Sequence, residues 1–456
     1  MGQGMLHKLI EVLIDIAKSL KTECSCTEME KTAIMIHRSM SYQARQFHTL
    51  DHVFGFLDST DAIGSLAAVF HDLIYLQVDG GLPPDTQNIL EPYLSFDGEE
   101  FKLQAASKDE DRPFELCLLI FGFKAGLTIS PLSGLNEFLS ALVMAKTLIG
   151  HLQERDLVAA VVCIEASIPF RPAIQGLSMA ETMEKRLRAA EGFLDLSQEE
   201  REEAIGRAVH FANEDVKDFA LNDPGAFLNN TWKLLPESNT TLRNRGAFTI
   251  KEYRTALDKM LRFFLSLDPA SIYHSYKDVP DEAEMASLEA LAKRNLQYAE
   301  LYIKAKLLAT GILEAISELS GGDAPMALFM GDLPHDGKNQ ESLLDYLENV
   351  AVPSWLDQDN PVHRLLRDGR LDESDFDLKN SPLALYLYHR LKPNEWARIS
   401  ASSIDYFSGA CSATDFLSLL PRPLLEDLIK ASSAMVPTRK EALIGLVTSI
   451  KTKTAS

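Results

Sequence analysis

The chain has 456 residues, of which 46% are hydrophobic and 24% charged, and its formal net charge at pH 7 is −21. This is an ordinary globular composition, long enough for two or three domains at roughly 100–200 residues each. Such a negative surface repels nucleic-acid phosphates and anionic lipid, and no basic stretch in the sequence reverses it. We therefore expect no nucleic-acid-binding surface.

The cysteines and the N-terminal segment bear on the compartment. The five cysteines are scattered along the chain: Cys24, Cys26, Cys117, Cys163 and Cys411. No CxxC pair occurs, so they favour neither a disulfide framework nor a zinc ribbon. The segment 5–20 carries Glu11 and Asp15 among apolar residues at helical spacing, which is unlike a signal peptide or a membrane span. We therefore expect a cytoplasmic protein that does not enter the membrane.

Apolar residues recur at three- and four-residue intervals through most of the chain, which predicts an all-α fold. The predicted helices cover 5–20, 28–40, 66–75, 134–151, 156–166, 198–221, 250–266 and 283–318. Ser197 and Glu200 form a capping box for the helix from Gln198, and Pro280-Asp281 opens the last helix. A small β-hairpin is predicted at 93–103, where Asp97-Gly98 suits a type I′ turn.

A polar, glycine-containing stretch marks the clearest domain boundary. It begins at Ser320-Gly-Gly-Asp-Ala-Pro325 and runs to about Gln340. We therefore predict a helical domain over 1–320 with an insertion at about 77–132, a linker over 321–340 and a helical C-terminal region over 341–456. Prolines divide the C-terminal region into short helices. These helices would pack on the first domain or on a second subunit, which is compatible with a homodimer.

One predicted apolar helix contains two adjacent polar residues that are candidates for metal binding. His71 and Asp72 lie in the segment Leu66–Tyr75 without polar neighbours. Burying an imidazole and a carboxylate is costly unless something pairs with them, and a divalent cation pairs with both. A core histidine that hydrogen-bonds a carbonyl oxygen would explain His71 without a metal.

Two further histidines precede that helix. His48 and His52 are four residues apart, which on one helix places both rings on the same face. A helix that presents His52 to a helix that presents His71 and Asp72 would supply three metal ligands. The two segments, taken together, predict a metal site of His52, His71 and Asp72.

These motifs resemble those of the HD-domain superfamily, most closely its metal-dependent phosphohydrolases and cyclic-nucleotide-phosphodiesterase-like members. Two family segments, Tyr-His-Asn-x-x-His and Phe-His-Asp-x-x-Tyr, are matched by 47–52, with Thr49 in place of Asn, and by 70–75. An Asn-Glu-x-x-Ser-Ala helix is matched by Asn136–Ala141, and the nearest candidate for a ligand-bearing Ala-Asp-Leu-type motif is Ala212–Val216. The resemblance covers about residues 30–220, with roughly sixty residues inserted before Asn136.

The resemblance implies an HD-type helical bundle with one or two divalent ions, Zn²⁺, Mn²⁺, Mg²⁺ or Fe²⁺. The implied ligands are His52, His71, Asp72 and Asp215. If Asn213 rather than Asp215 occupies the last position, the fourth carboxylate is missing. The implied activity is hydrolysis of a phosphoester, such as that of a nucleotide or cyclic nucleotide, by a metal-activated water. The partner would then be a small phosphorylated molecule.

Five more residues are candidates for roles around this site. His48 would protonate the leaving oxygen as a general acid, or would instead hydrogen-bond Asp51. Glu137 belongs to the third motif and is expected close behind the metal ligands or at the substrate. Glu165 and Arg171 flank a helix end, where Arg171 either holds a substrate phosphate or forms a salt bridge with Glu165.

Two other functions stay open on the sequence. An HD-fold oxygenase would hold two irons and would need extra histidine ligands, here His151 or His210. A non-catalytic descendant would use the metal or the bare pocket for binding or regulation. The replacement of the family Asn by Thr49 favours this second alternative.

Overall fold

The computed structural model describes residues 4–96, 98, 100–105, 111–171, 173–334 and 340–450. These residues form mostly helices and one small antiparallel sheet, which confirms the predicted all-α class with a β-hairpin. The chain divides into two compact units, unit 1 (Met1–Ala220 with Leu267–Ala292) and unit 2 (Leu221–Ser266 with Lys293–Ser456). Of the helices in the described part of the chain, none combines the length and apolarity needed to cross a membrane.

Unit 1 contains the first eleven α-helices. They are α1 (Met5–Ser19), α2 (Cys26–Met40), α3 (Leu50–Phe54), α4 (Ala62–His71), α5 (Leu76–Asp79), α6 (Pro84–Leu90), α7 (Arg112–Phe121), α8 (Leu135–Leu148), α9 (Glu154–Ala166), α10 (Met179–Ala189) and α11 (Gln198–Asp215). Short 3₁₀ helices lie at Glu91–Tyr93, Pro131–Ser133, Lys217–Ala220 and Pro269–Ser271. The capping box predicted at Ser197 and Glu200 is confirmed at the start of α11.

Helix α9 lies at the centre of unit 1 and is apolar on all sides. Every residue from Leu157 to Ala166 is buried, and the helix packs against α4, α7, α8 and α11. A helix that is hydrophobic all round is stable only when neighbours surround it. Because α4, α8 and α11 all pack on α9, the motif residues that they carry are held against one common support.

Two predicted helices end earlier than their apolar pattern suggests. The helix predicted at 198–221 is α11, which ends at Asp215, and the one predicted at 66–75 is α4, which ends at His71. The backbone of Asp72 leaves the helix with φ −101° and ψ 15°. In a continuous helix adjacent side chains diverge by about 100°, whereas this break lets His71 and Asp72 approach the same point.

The sheet lies within the predicted insertion at 77–132. Strands β1 (Leu94–Phe96), β2 (Phe101–Leu103) and β3 (Thr128–Ile129) pair antiparallel in that order. Phe96 lies opposite Phe101, which confirms the predicted hairpin, and their rings stack. Asp97 and Glu99 lie outside the described residues, so the turn type stays a prediction. The third strand was not expected, because two residues are too few to show an alternating pattern.

Unit 2 contains the remaining helices, of which α15 begins in unit 1. They are α12 (Pro224–Trp232), α13 (Leu234–Ser238), α14 (Ile250–Ser266), α15 (Glu282–Gly321), α16 (Met326–Met330), α17 (Pro361–Asp368), α18 (Pro382–Arg390), α19 (Pro393–Phe407), α20 (Ala413–Leu417), α21 (Arg422–Met435) and α22 (Lys440–Ser449). Short 3₁₀ helices lie at Thr240–Arg243, Leu343–Tyr346 and Pro437–Arg439. Several helices start at a proline, which has no N–H to leave unpaired at that position.

This division differs from the predicted domains 1–320, 321–340 and 341–456. The segments 221–266 and 293–320, expected in the first domain, belong to unit 2. Inside unit 2 the reason is visible at Thr249, which pairs with Pro325 just beyond the expected boundary. Glycine and proline at 320–325 mark a turn after α15, and a turn does not by itself separate two cores.

Candidate metal centre

Two histidines and two carboxylates meet where α3, α4 and α11 converge. His71 Nε2 lies 3.0 Å from Asp72 Oδ2 and 3.8 Å from Asp215 Oδ1. His52 Nε2 lies 3.2 Å from Asp215 Oδ1 and 3.8 Å from Asp72 Oδ2. Metal–ligand bonds of about 2.0–2.2 Å in a tetrahedral site place neighbouring donor atoms roughly 3.3–3.6 Å apart. The four histidine-to-carboxylate distances, 3.0 to 3.8 Å, therefore bracket the separation expected between ligands of one cation.

Two polar atoms of this cluster lack a well-oriented hydrogen bond. His71 Nε2 and Asp72 Oδ2 are buried and, although they lie 3.0 Å apart, make no hydrogen bond of good geometry with the described residues. In that part of the chain, the one group of potential metal ligands with mutually close donor atoms is His52, His71 and Asp72. Buried polar atoms are nearly always paired, so this exception is consistent with a cation as their partner.

His71 is oriented by its other ring nitrogen. Nδ1 lies 2.8 Å from the main-chain oxygen of Ala68 one turn earlier in α4, so a proton on Nδ1 leaves Nε2 as the ligand atom. Burial by itself lowers the pKa of His71, but the charges of Asp72 and Asp215 raise it to about 9. The two carboxylates therefore favour a positive charge at His71, whether a proton or a bound cation carries it.

Asp215, and not Asn213, is the carboxylate that α11 brings to the cluster. Asn213 faces the loop at 274 instead, where its side-chain amide donates to the oxygen of His274 at 2.8 Å and accepts from the nitrogen of His274 at 2.9 Å. The two residues differ by two positions on α11 and therefore point in different directions. The alternative in which Asn213 takes the fourth ligand position does not fit these contacts, and the role of Asp215 as a ligand stays a prediction.

His48 lies beside the cluster but not on the helix that carries His52. α3 begins at Leu50 with Thr49 as its N-cap, so the expectation of one helix for both histidines is wrong. The rings of His48 and His52 are nevertheless 6.2 Å apart. His48 is partly exposed, and its ring packs edge-on against that of Tyr75 with the centroids 4.5 Å apart. Burial raises the pKa of Asp72, but the charges of His71 and then of His48 bring that pKa well below its ordinary value.

A buried arginine that the sequence analysis missed holds the main chain at Asp72. Arg45 donates from Nη1 to the oxygen of Asp72 at 2.6 Å and from Nη2 to the oxygen of Leu73 at 3.1 Å. It also forms a fully buried, two-point ion pair with Asp79. Arg45 lies seven residues before His52 in a polar segment, and only the tertiary structure shows that it is buried.

In the Asn136–Ala141 motif, two residues hold the main chain and Glu137 contributes a carboxyl group. On α8, Asn136 accepts from the nitrogen of Leu76 at 3.1 Å and Ser140 from the nitrogen of Ile74 at 3.0 Å, so both hold the segment after Asp72. The Oε2 atom of Glu137 is buried without a hydrogen bond. Burial, with a contribution from Asp72, raises the pKa of Glu137 to about 7.

Glu165 and Arg171 form the predicted salt bridge. The guanidinium of Arg171 donates to both carboxylate oxygens of Glu165 at 2.5 and 3.1 Å, and Arg186 adds a third contact at 2.6 Å. Burial favours the neutral acid, but the two arginines hold the pKa of Glu165 below its ordinary value. The salt-bridge alternative accounts for this geometry without a substrate. Asp51, named above as a possible hydrogen-bond partner of His48, is exposed on α3.

The histidines that a di-iron site would require do not join the cluster. His210 is exposed and its Nε2 lies 2.7 Å from the main-chain oxygen of Ser59. His151 lies in the turn after α8 and is absent from the ligand group found among the described residues. Neither residue therefore lies with the cluster, and the di-iron alternative stays a prediction without the extra histidine ligands that it would need.

The fold and the site define a helical protein with a largely buried cluster of two histidines and two carboxylates. No protein-family model, curated protein or solved structure matches the chain. The resemblance to HD-domain proteins thus stays a prediction from the motifs.

Proposed function

We propose that unit 1 is a divalent-metal-dependent phosphohydrolase of the HD type. The observation that carries the proposal is the set of two imidazole nitrogens and two carboxylate oxygens, in which each nitrogen lies 3.0 to 3.8 Å from both oxygens. Imidazole and carboxylate donors together suit Zn²⁺, Mn²⁺ or Fe²⁺, and Mg²⁺ less well. The partly exposed His52 and Asp215 give the cluster a side that a substrate can reach.

The residues around the cluster have distinct roles in this proposal. When bound, the divalent cation supplies a water of lowered pKa and polarises a phosphoryl oxygen. His48, which is partly exposed and next to Tyr75, donates a proton to the leaving oxygen. Glu137 stores or relays a proton, since its pKa of about 7 allows both protonation states at neutral pH. Arg45 fixes the main chain at Asp72, and Asn136 and Ser140 fix the segment that follows it.

The proposed substrate is a small phosphorylated molecule, such as a nucleotide or a cyclic nucleotide, and the proposed location is the cytoplasm. Free cysteines at all five positions are compatible with a reducing compartment. The net charge of −21 disfavours a large polyanionic substrate.

Metal content tests the proposal most directly. Elemental analysis would compare protein purified without chelator, the double variant His71→Ala with Asp72→Ala, and a control with His7→Ala and Asp15→Ala on the exposed face of α1. We expect near-stoichiometric metal in the wild type and in the control, and its loss in the site variant. Calorimetry at pH 7.5 should also show release of about one proton on metal binding, because His71 is protonated beforehand.

Turnover then separates the functional alternatives. The metal-loaded protein would be tested on phosphomonoesters, phosphodiesters and cyclic nucleotides, with oxygen uptake measured in parallel. Hydrolysis that requires His48 and the metal supports the proposal. A metal-loaded protein that hydrolyses none of these compounds would instead have a binding or regulatory role, and metal-dependent oxygen consumption would indicate an oxygenase. A wild type whose stability does not respond to Zn²⁺, Mn²⁺ or Fe²⁺ would refute the metal site itself.

A further inference from the structure

Unit 2 contains a buried cluster of charged residues with more positive than negative charge. The side chains of Lys306 and Arg370 are only 7% and 1% exposed, and that of Asp377 is 11% exposed. Asp377 Oδ2 accepts from Lys306 at 2.9 Å, from Arg370 at 3.1 Å and from the indole nitrogen of Trp232 at 3.0 Å. Within the described residues Asp377 is the one carboxylate paired with either cation, so the cluster carries one surplus positive charge.

The surplus charge is only partly compensated by the surrounding groups. The Lys306 ammonium lies 5.6 to 5.7 Å from the ring centroids of Trp232, Tyr253 and Tyr302, and 3.2 Å from Ser381 Oγ. Aromatic faces stabilise a cation modestly. A buried charge without a counter-ion nevertheless costs several kcal/mol, so an anion next to Lys306 would be favourable.

A cavity of about 340 Å³ lies next to this cluster. Lys306, Tyr253 and Asp377 line its polar side, and the rest of the lining is mainly apolar, including Phe248 and Met330. The volume lies at the lower end of the roughly 300–1,000 Å³ that is typical of small-molecule sites. The cavity therefore suits a ligand with a small polar group and an apolar remainder.

Tyr253 supplies a second indication of a ligand. The residue is 5% exposed and lines the cavity, and its buried Oη lies near Asp377 but makes no hydrogen bond of good geometry among the described residues. Burial, reinforced by Asp377, raises the pKa of the phenol well above its ordinary value, so Oη keeps its proton. A buried O–H donor without an acceptor is rare in proteins, and a ligand oxygen would satisfy it.

We propose that this cavity binds a small organic monocarboxylate, whose carboxylate contacts Lys306 and Tyr253 and whose apolar part packs against Phe248 and Met330. The one surplus positive charge of the cluster matches the single negative charge of a monocarboxylate. A phosphate dianion would exceed it, and its double charge would be repelled more strongly than that of a monocarboxylate by the exposed carboxylates of Asp332 and Asp345, which line the same cavity. This site lies in unit 2 and does not depend on the metal cluster of unit 1.

Titration calorimetry of the full chain tests the charge requirement with four probes: phenylacetate, hexanoate, phenylacetamide and inorganic phosphate. We expect a carboxylate to bind at least about tenfold more tightly than the amide, and phosphate not to bind at this site. The proposal is overturned if neither carboxylate binds, or if phenylacetamide binds as tightly as phenylacetate.

Two variants test the location of the bound carboxylate. Tyr253→Phe keeps the ring and removes the donor, and it should weaken carboxylate binding about tenfold or more. Lys306→Met should abolish binding, with Lys304→Met as the matched control, since Lys304 is a half-buried lysine on the same helix that pairs with Glu300. If Lys306→Met does not fold, Tyr253→Phe still decides. Wild-type affinity in a folded Tyr253→Phe protein would refute the site.

Discussion

Arg45 Nη1 donates a hydrogen bond of 2.6 Å to the main-chain oxygen of Asp72, twenty-seven residues later in the chain. The arginine is itself fixed by a buried ion pair with Asp79. The position of a candidate metal ligand thus depends on a charge pair that does not contact the metal cluster. This relationship holds the main chain at Asp72 through contacts within the protein itself.

The Arg45–Asp79 pair should contribute strongly to stability. Arg45→Ala leaves the Asp79 carboxylate buried without a partner, which typically lowers the free energy of unfolding by about 3–5 kcal/mol. Urea denaturation would measure this change. Arg38→Ala, which removes a surface ion pair with Asp85 on the neighbouring helices, is the control and should have little effect. Equal effects of the two variants would contradict the role assigned to Arg45.

His71 should make the stability of the metal-free protein depend on pH. Its pKa is about 9 in the folded protein and 6.5 without a partner. The resulting stabilisation is fully present below pH ~6.5 and is lost as the pH rises through about 9, with an upper limit of roughly 3 kcal/mol. Denaturation in the presence of chelator would show this decline in the wild type and in an exposed control, His7→Gln. The prediction fails if His71→Gln keeps the same pH dependence.

Glu137 should destabilise the folded protein once it ionises. Its pKa is about 7 when folded and 4.5 otherwise, so the folded state loses stability as the pH rises from about 4.5 through 7. Glu137→Gln removes this effect and should be more stable than the wild type at pH 8, by at most roughly 3 kcal/mol, with little difference at pH 4. The measurement is urea denaturation at both pH values. An exposed control, Glu11→Gln, should show no such pH-dependent gain in stability. If Glu137→Gln is less stable than the wild type at pH 8, the raised pKa assigned to Glu137 is contradicted.

Asn136 should be required for the segment that follows Asp72. In Asn136→Ala the buried nitrogen of Leu76 loses its acceptor, which costs about 1–3 kcal/mol. Thr147→Ala is the matched control on the same helix, because among the described residues the Thr147 hydroxyl donates to Val143 one turn earlier. Thermal and urea denaturation of both variants would compare them. If Asn136→Ala is no more destabilising than Thr147→Ala, the hydrogen bond to Leu76 does not hold this segment.

The sequence by itself determined most helices and the local part of the candidate site. The helix at 250–266 was predicted to the residue, and α1, α2, α8 and α9 differ from prediction by at most three residues at either end. The cluster formed by His52 with His71 and Asp72 was also expected. These features are encoded within one or two turns of chain, where apolar spacing and capping residues act directly.

Only the tertiary structure decided which distant residues complete the site. Asp215 lies 163 residues after His52, and its selection over Asn213 depends on how α11 packs against α9. The burial of Arg45 and the surplus charge around Lys306 likewise come from contacts between segments far apart in sequence. Periodicity reports which face of one helix is apolar, but not which other segment covers it, and the chemistry of a buried polar group depends on that partner.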